Sequence, residues 1–188
     1  MSYRDEDYYA YSGADFTEHS GVDFENYSED DLIKLWHATL KKGMHGICFS
    51  MYEDGQEPGD VITIEQVERR VKILKPYAKW IRSFSCIEGN EHVPRIAHKH
   101  GVKTLVGAWL SDNKEDNEKE IEGLITLAKE GGVDIAAVGN EVLDRNELSL
   151  GELLGYVQGV KEGMPNVPVG YVDAYYKYSR YPELVEIS

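Results

Sequence analysis

A chain of 188 residues with 41% hydrophobic content is long enough to enclose a core, and fits one globular domain or two small ones. A formal net charge of −14 argues against nucleic acid and against an anionic membrane surface, both of which recruit clustered Lys and Arg, and it suits a neutral ligand. No run approaches the roughly 20 apolar residues of a membrane helix. The start Met1-Ser2-Tyr3-Arg4-Asp5-Glu6-Asp7 also lacks the basic region and apolar centre of a secretory signal, so a soluble chain is expected, its compartment unassigned.

Residues 1–27 carry Asp, Glu, Tyr, Ser and Gly without a sustained apolar period and read as an acidic tail or linker ahead of a domain over 28–188. Ser28 is placed to cap a leading helix, with Asp30 and Asp31 in its first turn, an apolar face of Leu32, Leu35, Trp36 and Leu40, and Gly43 as its stop. A unit of short apolar strand, loop and amphipathic helix then repeats. The first strand is Ile47-Cys48-Phe49-Ser50. Thr63 and Gln66 form a capping-box pattern for a helix whose Ile64, Val67, Val71 and Leu74 share a face. The second strand runs from Trp80 to Phe84, and its helix carries Val93, Ile96 and Ala97 before Gly101. The third, Val102 to Gly107, leads to a helix with Ile121, Leu124, Ile125 and Ala128, closed by Gly131 and Gly132.

The fourth strand is the most informative run in the chain. Val133-Asp134-Ile135-Ala136-Ala137-Val138-Gly139 ends by delivering Asn140 and Glu141 side by side. Ser149 and Glu152 then make a second capping box for a helix with Leu153, Val157 and Val160. Val167 to Tyr171 is the fifth strand, and a short helix from about Tyr181 carries Leu184 and Val185. Alternating strands and helices predict a parallel sheet with right-handed crossovers. An eight-stranded barrel takes about 250 residues. The expected fold is therefore α/β, of (β/α)8 TIM-barrel type, represented by the first five strand-helix units of an incomplete barrel. In such a piece the first and fifth strands are edges, which invite self-association.

Ligands in this architecture bind past the C-terminal strand ends. There the sequence places Tyr52, Glu53, Asp54, Gln56 and Asp60, then Glu88, Asn90 and Glu91, then Trp109 and Asp112, then Asn140 and Glu141, then Asp173, Tyr175 and Tyr176. Carboxylates and amides exchange hydrogen bonds with hydroxyl groups, and flat rings pack on the apolar faces of sugars. Glu141 directly follows an apolar strand and a glycine, a position read as buried. Arg82, inside the second strand, needs a carboxylate partner, for which Glu141 or another loop acid is available. Cys48 and Cys86, both in apolar runs, favour buried free thiols over a disulfide. His98 and His100, two apart on a helix, point to different faces and do not suggest a metal pair. No nucleophilic Ser or Cys motif and no phosphate-cradling glycine loop is found, and no cofactor is expected.

These stretches resemble glycoside hydrolase family 17, the β-1,3-glucanases and β-1,3-glucanosyltransferases of the retaining (β/α)8 barrels. The likeness runs in order through Gly46 to Tyr52, Ile81 to Ser85, Val106 to Trp109, Ala137 to Leu143 and Pro168 to Tyr175. It implies that Glu141 is the general acid/base and that Asn140 binds the sugar 2-hydroxyl beside the scissile bond. Tyr52, Trp109, Asp173 and Tyr175 match positions lining the sugar cleft; Arg82 joins this substrate-binding set, with Glu91 as a further candidate. A retaining enzyme needs a second carboxylate roughly 5–5.5 Å from the acid. In this family it comes from the seventh strand, for which this chain has no counterpart, and Glu183 and Glu186 in the last helix do not replace it. Hydrolysis and glucanosyl transfer share their first step and are not separated by these residues. Two other readings are a non-catalytic glucan binder and a homodimer joined at the sheet edges. The family generally meets polysaccharide outside the cytoplasm.

Overall fold

In a computed structural model of the protein, residues 24–188 are described. The acidic tail or linker expected over 1–27 lies outside the described residues as far as residue 23, and Phe24–Asn26 forms a 3₁₀ turn. The chain divides into two units, Met1–Lys42 and Gly43–Ser188. In the first, helix α1 (Glu29–Lys42) starts where expected: the Ser28 hydroxyl accepts the Asp31 N–H at 3.3 Å and donates to the Asp31 carboxylate at 2.6 Å. Acidic residues fill its first turn and Lys41 and Lys42 its last, which complements the helix dipole. Its apolar residues Leu32, Ile33 and Trp36 are exposed.

The second unit holds β1 (Met44–Cys48), α2 (Ile64–Leu74), β2 (Ala78–Arg82), α3 (His92–Lys99), β3 (Lys103–Ala108), α4 (Lys114–Lys129), β4 (Ile135–Asn140), α5 (Leu150–Gly163), β5 (Val169–Val172), α6 (Tyr175–Arg180) and α7 (Glu183–Ile187). The strands form one five-stranded sheet in the order β1-β2-β3-β4-β5, every pair parallel. A strand order that never reverses is that of a barrel wall, whereas doubly wound folds reverse at a switch point. This is the expected α/β, TIM-barrel-type arrangement of alternating strands and helices.

Register puts Ile81 beside Thr104, Val106 beside Ala136 and Ala108 beside Val138, and all of these are buried. Beneath β3 to β5, Leu124 and Leu127 of α4 and Leu153, Val157 and Val160 of α5 enclose one apolar cluster. Val67 and Val71 of α2 and Val93, Ile96 and Ala97 of α3 enclose another beneath β1 and β2. On the opposite sheet face, Arg82, Leu105 and Ile135 line up as neighbours and are only half-buried. Cys48 pairs with Arg82 on that face and belongs to the end strand β1; both cysteines are free thiols, but Cys48 is exposed rather than buried as expected, while Cys86 is buried.

Local signals set most element starts. Ser149 forms a complete capping box with Glu152, giving and accepting bonds in both directions. Ser149→Ala should cost about 1 kcal/mol of stability, read as a lower urea midpoint without a change in slope. Thr63 caps α2 by accepting the Gln66 N–H at 3.2 Å, but only half of the expected box forms. The Gln66 side chain turns instead to the Met51 carbonyl at 2.8 Å and to Gln56, tying down the long loop after β1.

Strand β1 begins at Met44 rather than Ile47. Gly43, at φ +77°, turns the chain directly into pairing with Ala78. Helix α6 was not expected, since its Tyr-rich run carries no apolar period; Tyr178 fastens it by donating to the Tyr171 carbonyl at 2.6 Å. Among the described residues no helix is long and apolar enough to cross a membrane.

Candidate active site

Parallel strands bring their C-terminal ends, and the loops after them, to one end of the sheet. Past β1, β2 and β3 these loops enclose a cavity of about 450 Å³. Phe49, Met51, Tyr52, Phe84, Ile87 and Trp109 supply its apolar wall, and Glu88, Asn90, Asp116 and Glu120 its polar groups. Tyr52 is half-buried, and Trp109 keeps 40% of its surface exposed. Glu91 stays outside this wall, where it accepts the Gly89 N–H at 2.8 Å.

The end of β4 has a tight backbone. Gly139 lies at φ +88°, and a Cβ there would sit 3.2 Å from the Tyr171 ring. Gly139→Ala should therefore destabilise the protein by about 1–3 kcal/mol, measured by urea unfolding. Glu141 follows at φ +53°, in the left-handed region, with its N–H donated to the Val172 carbonyl at 2.8 Å. Glu141 is exposed, which corrects the expectation of burial.

Arg82 also departs from expectation. Its Nη2 donates to Asn140 Oδ1 at 2.6 Å, its guanidinium lies 4.6 Å from the Phe84 ring centroid, and its Nε is buried without a hydrogen-bond partner among the described residues. The partner is an amide rather than a carboxylate, because Asn140 is the group that projects beside Arg82 from the end of β4. A guanidinium only donates, so the bond fixes the Asn140 amide with its oxygen toward Arg82 and its NH₂ turned away, free to donate elsewhere.

Past β5, Asp173 accepts the Tyr171 hydroxyl and, at 2.7 Å, the Ala174 N–H. Burial and this bond push the Tyr171 hydroxyl well above the usual phenol range, keeping it a neutral donor. Tyr176 donates to Asp144 and is pushed up to about 12 by that bond; Lys177 pairs with the same carboxylate at 3.2 Å. Tyr175 is 71% exposed, edge-on to Tyr176.

Two residues that the sequence reading passed over are prominent here. Glu120, on α4, is 2% exposed and accepts the Ser85 hydroxyl at 2.5 Å, the Cys86 N–H at 2.7 Å and the backbone N–H of Trp109. Burial pushes its carboxyl up to about 7, against the pull of those donors. The signal in the sequence is the buried stripe Asn117, Glu120, Leu124 and Leu127, which continues the apolar period of α4 into polar residues. Arg145 is the second. It donates to the Asn140 carbonyl and, at 2.7 Å, to the Leu110 carbonyl, pairs with Glu147 at 2.6 Å, and lies 4.3 Å from the Trp109 ring centroid.

The structure thus places Tyr52 and Trp109 in one cavity wall and joins Arg82 to Asn140. Glu141, Asp173 and Tyr175 occupy the same end of the sheet but do not line that cavity. His98 bonds Asp134 at 2.8 Å and His100 bonds Glu68 at 3.2 Å, so the two rings do diverge. Among the described residues no cluster of His, Cys, Asp and Glu has the grouping to hold a metal ion.

Residues 46–188 match the model of the BtgE/BtgC glycoside hydrolase domain. The chain belongs to this family. Solved structures similar to this glycoside hydrolase domain include an active-site mutant of Rhizomucor miehei β-1,3-glucanosyltransferase in complex with laminaritriose. The two are 24% identical with a TM-score of 0.63, over 77% of this chain and 54% of that one. Another is the glycoside hydrolase family 17 β-1,3-glucanosyltransferase from Rhizomucor miehei, 23% identical with a TM-score of 0.62, over 73% of this chain and 52% of that one. At such identity the likeness is one of fold, and the chain spans about half the length of these proteins. The family 17 resemblance read from the sequence agrees with both comparisons. No curated protein matches the chain.

Proposed function

We propose that the strand-end face binds β-1,3-glucan and carries the acid/base half of a retaining glycosidase site, with Glu141 as the general acid/base. The observation that carries this reading is the end of β4. Asn140 and Glu141 leave the strand together, and Arg82 holds the Asn140 amide with its NH₂ free to donate. A sugar hydroxyl oxygen is a fitting acceptor for that donor. In the first step the Glu141 carboxylic acid gives its proton to the leaving glycosidic oxygen while a second carboxylate, which the family resemblance assigns to a seventh strand rather than to any residue here, attacks the anomeric carbon and the glycosidic bond breaks. In the second step Glu141, now ionised, takes the proton of the incoming hydroxyl as its oxygen bonds to the anomeric carbon and the second carboxylate is released. Water as acceptor gives hydrolysis, and a second glucan gives transfer.

Trp109 and Tyr52 supply flat apolar surface for a pyranose ring, and Asp173 and Tyr175 extend the polar, aromatic rim beyond Glu141. Incubation of the purified chain with laminarihexaose, followed by mass analysis of products, tests the reading. Shorter oligosaccharides alone indicate hydrolysis, and products longer than the substrate indicate transfer. Absence of both, together with absence of any binding, would overturn it. Saturable binding without turnover by this chain fits an acid/base half; binding that still gives no turnover in a longer form supplying the second carboxylate would favour the non-catalytic glucan-binding reading.

A further inference from the structure

Arg145 makes an unusual set of contacts for a loop residue. Its backbone N–H closes a turn onto the Glu141 carbonyl at 2.8 Å, and its guanidinium folds back over that turn to the Asn140 carbonyl. Nη2 reaches the Leu110 carbonyl at 2.7 Å, in the loop after β3, and also Glu147 Oε2 at 2.6 Å. Nε bonds the same Glu147 oxygen at 3.0 Å, so the cation is neutralised locally. The carbon of the guanidinium stands 4.3 Å from the centroid of the Trp109 ring.

From this geometry we infer that Arg145 is the positioning residue of the site: it locks the peptide leading into Glu141 to the β3 loop and covers one face of Trp109. The other face is left as the platform for a sugar. The inference deepens the glucan reading and rests on it for the identity of the ligand. A planar guanidinium can bridge two carbonyls, pair with a carboxylate and stack on an indole at once. A lysine ammonium is a point donor on a flexible stem and cannot do all four. The groups that Arg145 joins come from separate strand ends, and each is adjacent to a proposed site residue.

The test uses the full chain with Trp36→Phe and Trp80→Phe, so that Trp109 is the remaining indole of the three tryptophans. Arg145→Lys and Arg145→Met should each raise acrylamide quenching of Trp109 by about twofold, since the covered ring face opens to solvent. Each should also weaken laminaritriose binding by roughly tenfold, with no rescue by lysine. Unchanged quenching in both variants, or full recovery of quenching and binding in Arg145→Lys, overturns the inference. Should the variants fail to fold, the unsubstituted chain still decides: the Arg145 side-chain protons should show an upfield ring-current shift that disappears in Trp109→Ala. Absence of that shift overturns the stacking. If laminaritriose binds Trp109→Ala as tightly as the parent chain, the glucan reading fails instead, and the quenching result stands on its own.

Discussion

In a longer form of the protein that also supplies the second carboxylate, Glu141→Gln is expected to lower turnover of linear β-1,3-glucan by about 10²- to 10⁴-fold, the range over which a positioned general acid acts. Gln keeps the shape and the neutral charge of the protonated acid but has no acidic proton for the leaving oxygen. A sugar alkoxide is a poor leaving group, so the loss falls on bond cleavage. An aryl glucoside with a weakly basic leaving group needs no such proton, and its cleavage step should be far less sensitive to the same substitution. Stability offers an internal control. Glu141 is exposed and its side chain makes none of the hydrogen bonds that anchor Asn140 or Asp173. Unfolding free energy should therefore change by no more than about 0.5 kcal/mol. Equal turnover in the two proteins would remove Glu141 from the mechanism.

The second large effect concerns Glu120 and pH. Its carboxyl rises from 4.5 in the unfolded chain to about 7 when folded, chiefly because it is buried beneath the β2 and β3 loops. The folded protein therefore holds this proton more tightly than the unfolded one. The corresponding stability is fully present below about pH 4.5 and is lost as pH rises to about 7. A displacement of that size corresponds to roughly 3 kcal/mol. Other carboxylates act in the opposite sense: Lys99, Lys72 and His100 hold Glu68 down to about 2, so its contribution fades on acidification. The difference between the parent chain and Glu120→Gln isolates the effect of interest. Gln can turn its NH₂ to the Ser85 hydroxyl and its oxygen to the Cys86 N–H, so the clamp survives while the titration is removed. Urea unfolding at pH steps from 4.5 to 8 should give a stability that falls faster in the parent than in the variant. Parallel curves would contradict the assignment.

Much of this arrangement was legible because local chemistry and tertiary structure agree. Ser28 and Ser149 cap helices where their side chains and the acidic residues after them say a helix starts. The apolar runs at Ile135 to Val138 and Leu105 to Val106 are strands because both faces are at least half-buried. Where outcomes diverged, contacts distant in sequence were responsible. Cys48 lies within an apolar run and Glu141 follows one, which suggests burial for both, yet one sits on the less covered sheet face and the other in a left-handed turn. Glu120 hides within the charged stretch from Glu115 to Glu122; the helical stripe it shares with Leu124 and Leu127 hints at burial, but its partners Ser85 and Cys86 lie more than thirty residues away. Arg145 carries no motif of its own; its partner Leu110 is 35 residues distant. Helix α6 forms without an apolar period because Tyr178 and Lys177 fasten it to β5 and to the β4 loop.

Titration of the 188-residue chain with laminaritriose, followed by the indole resonance of Trp109 and repeated in Trp109→Ala, decides whether the strand-end face binds glucan. Binding should be saturable, should move the Trp109 signal, and should weaken at least about tenfold when the ring is removed, as expected for a stacking platform. Binding that leaves Trp109 unmoved and survives its removal would contradict that assignment.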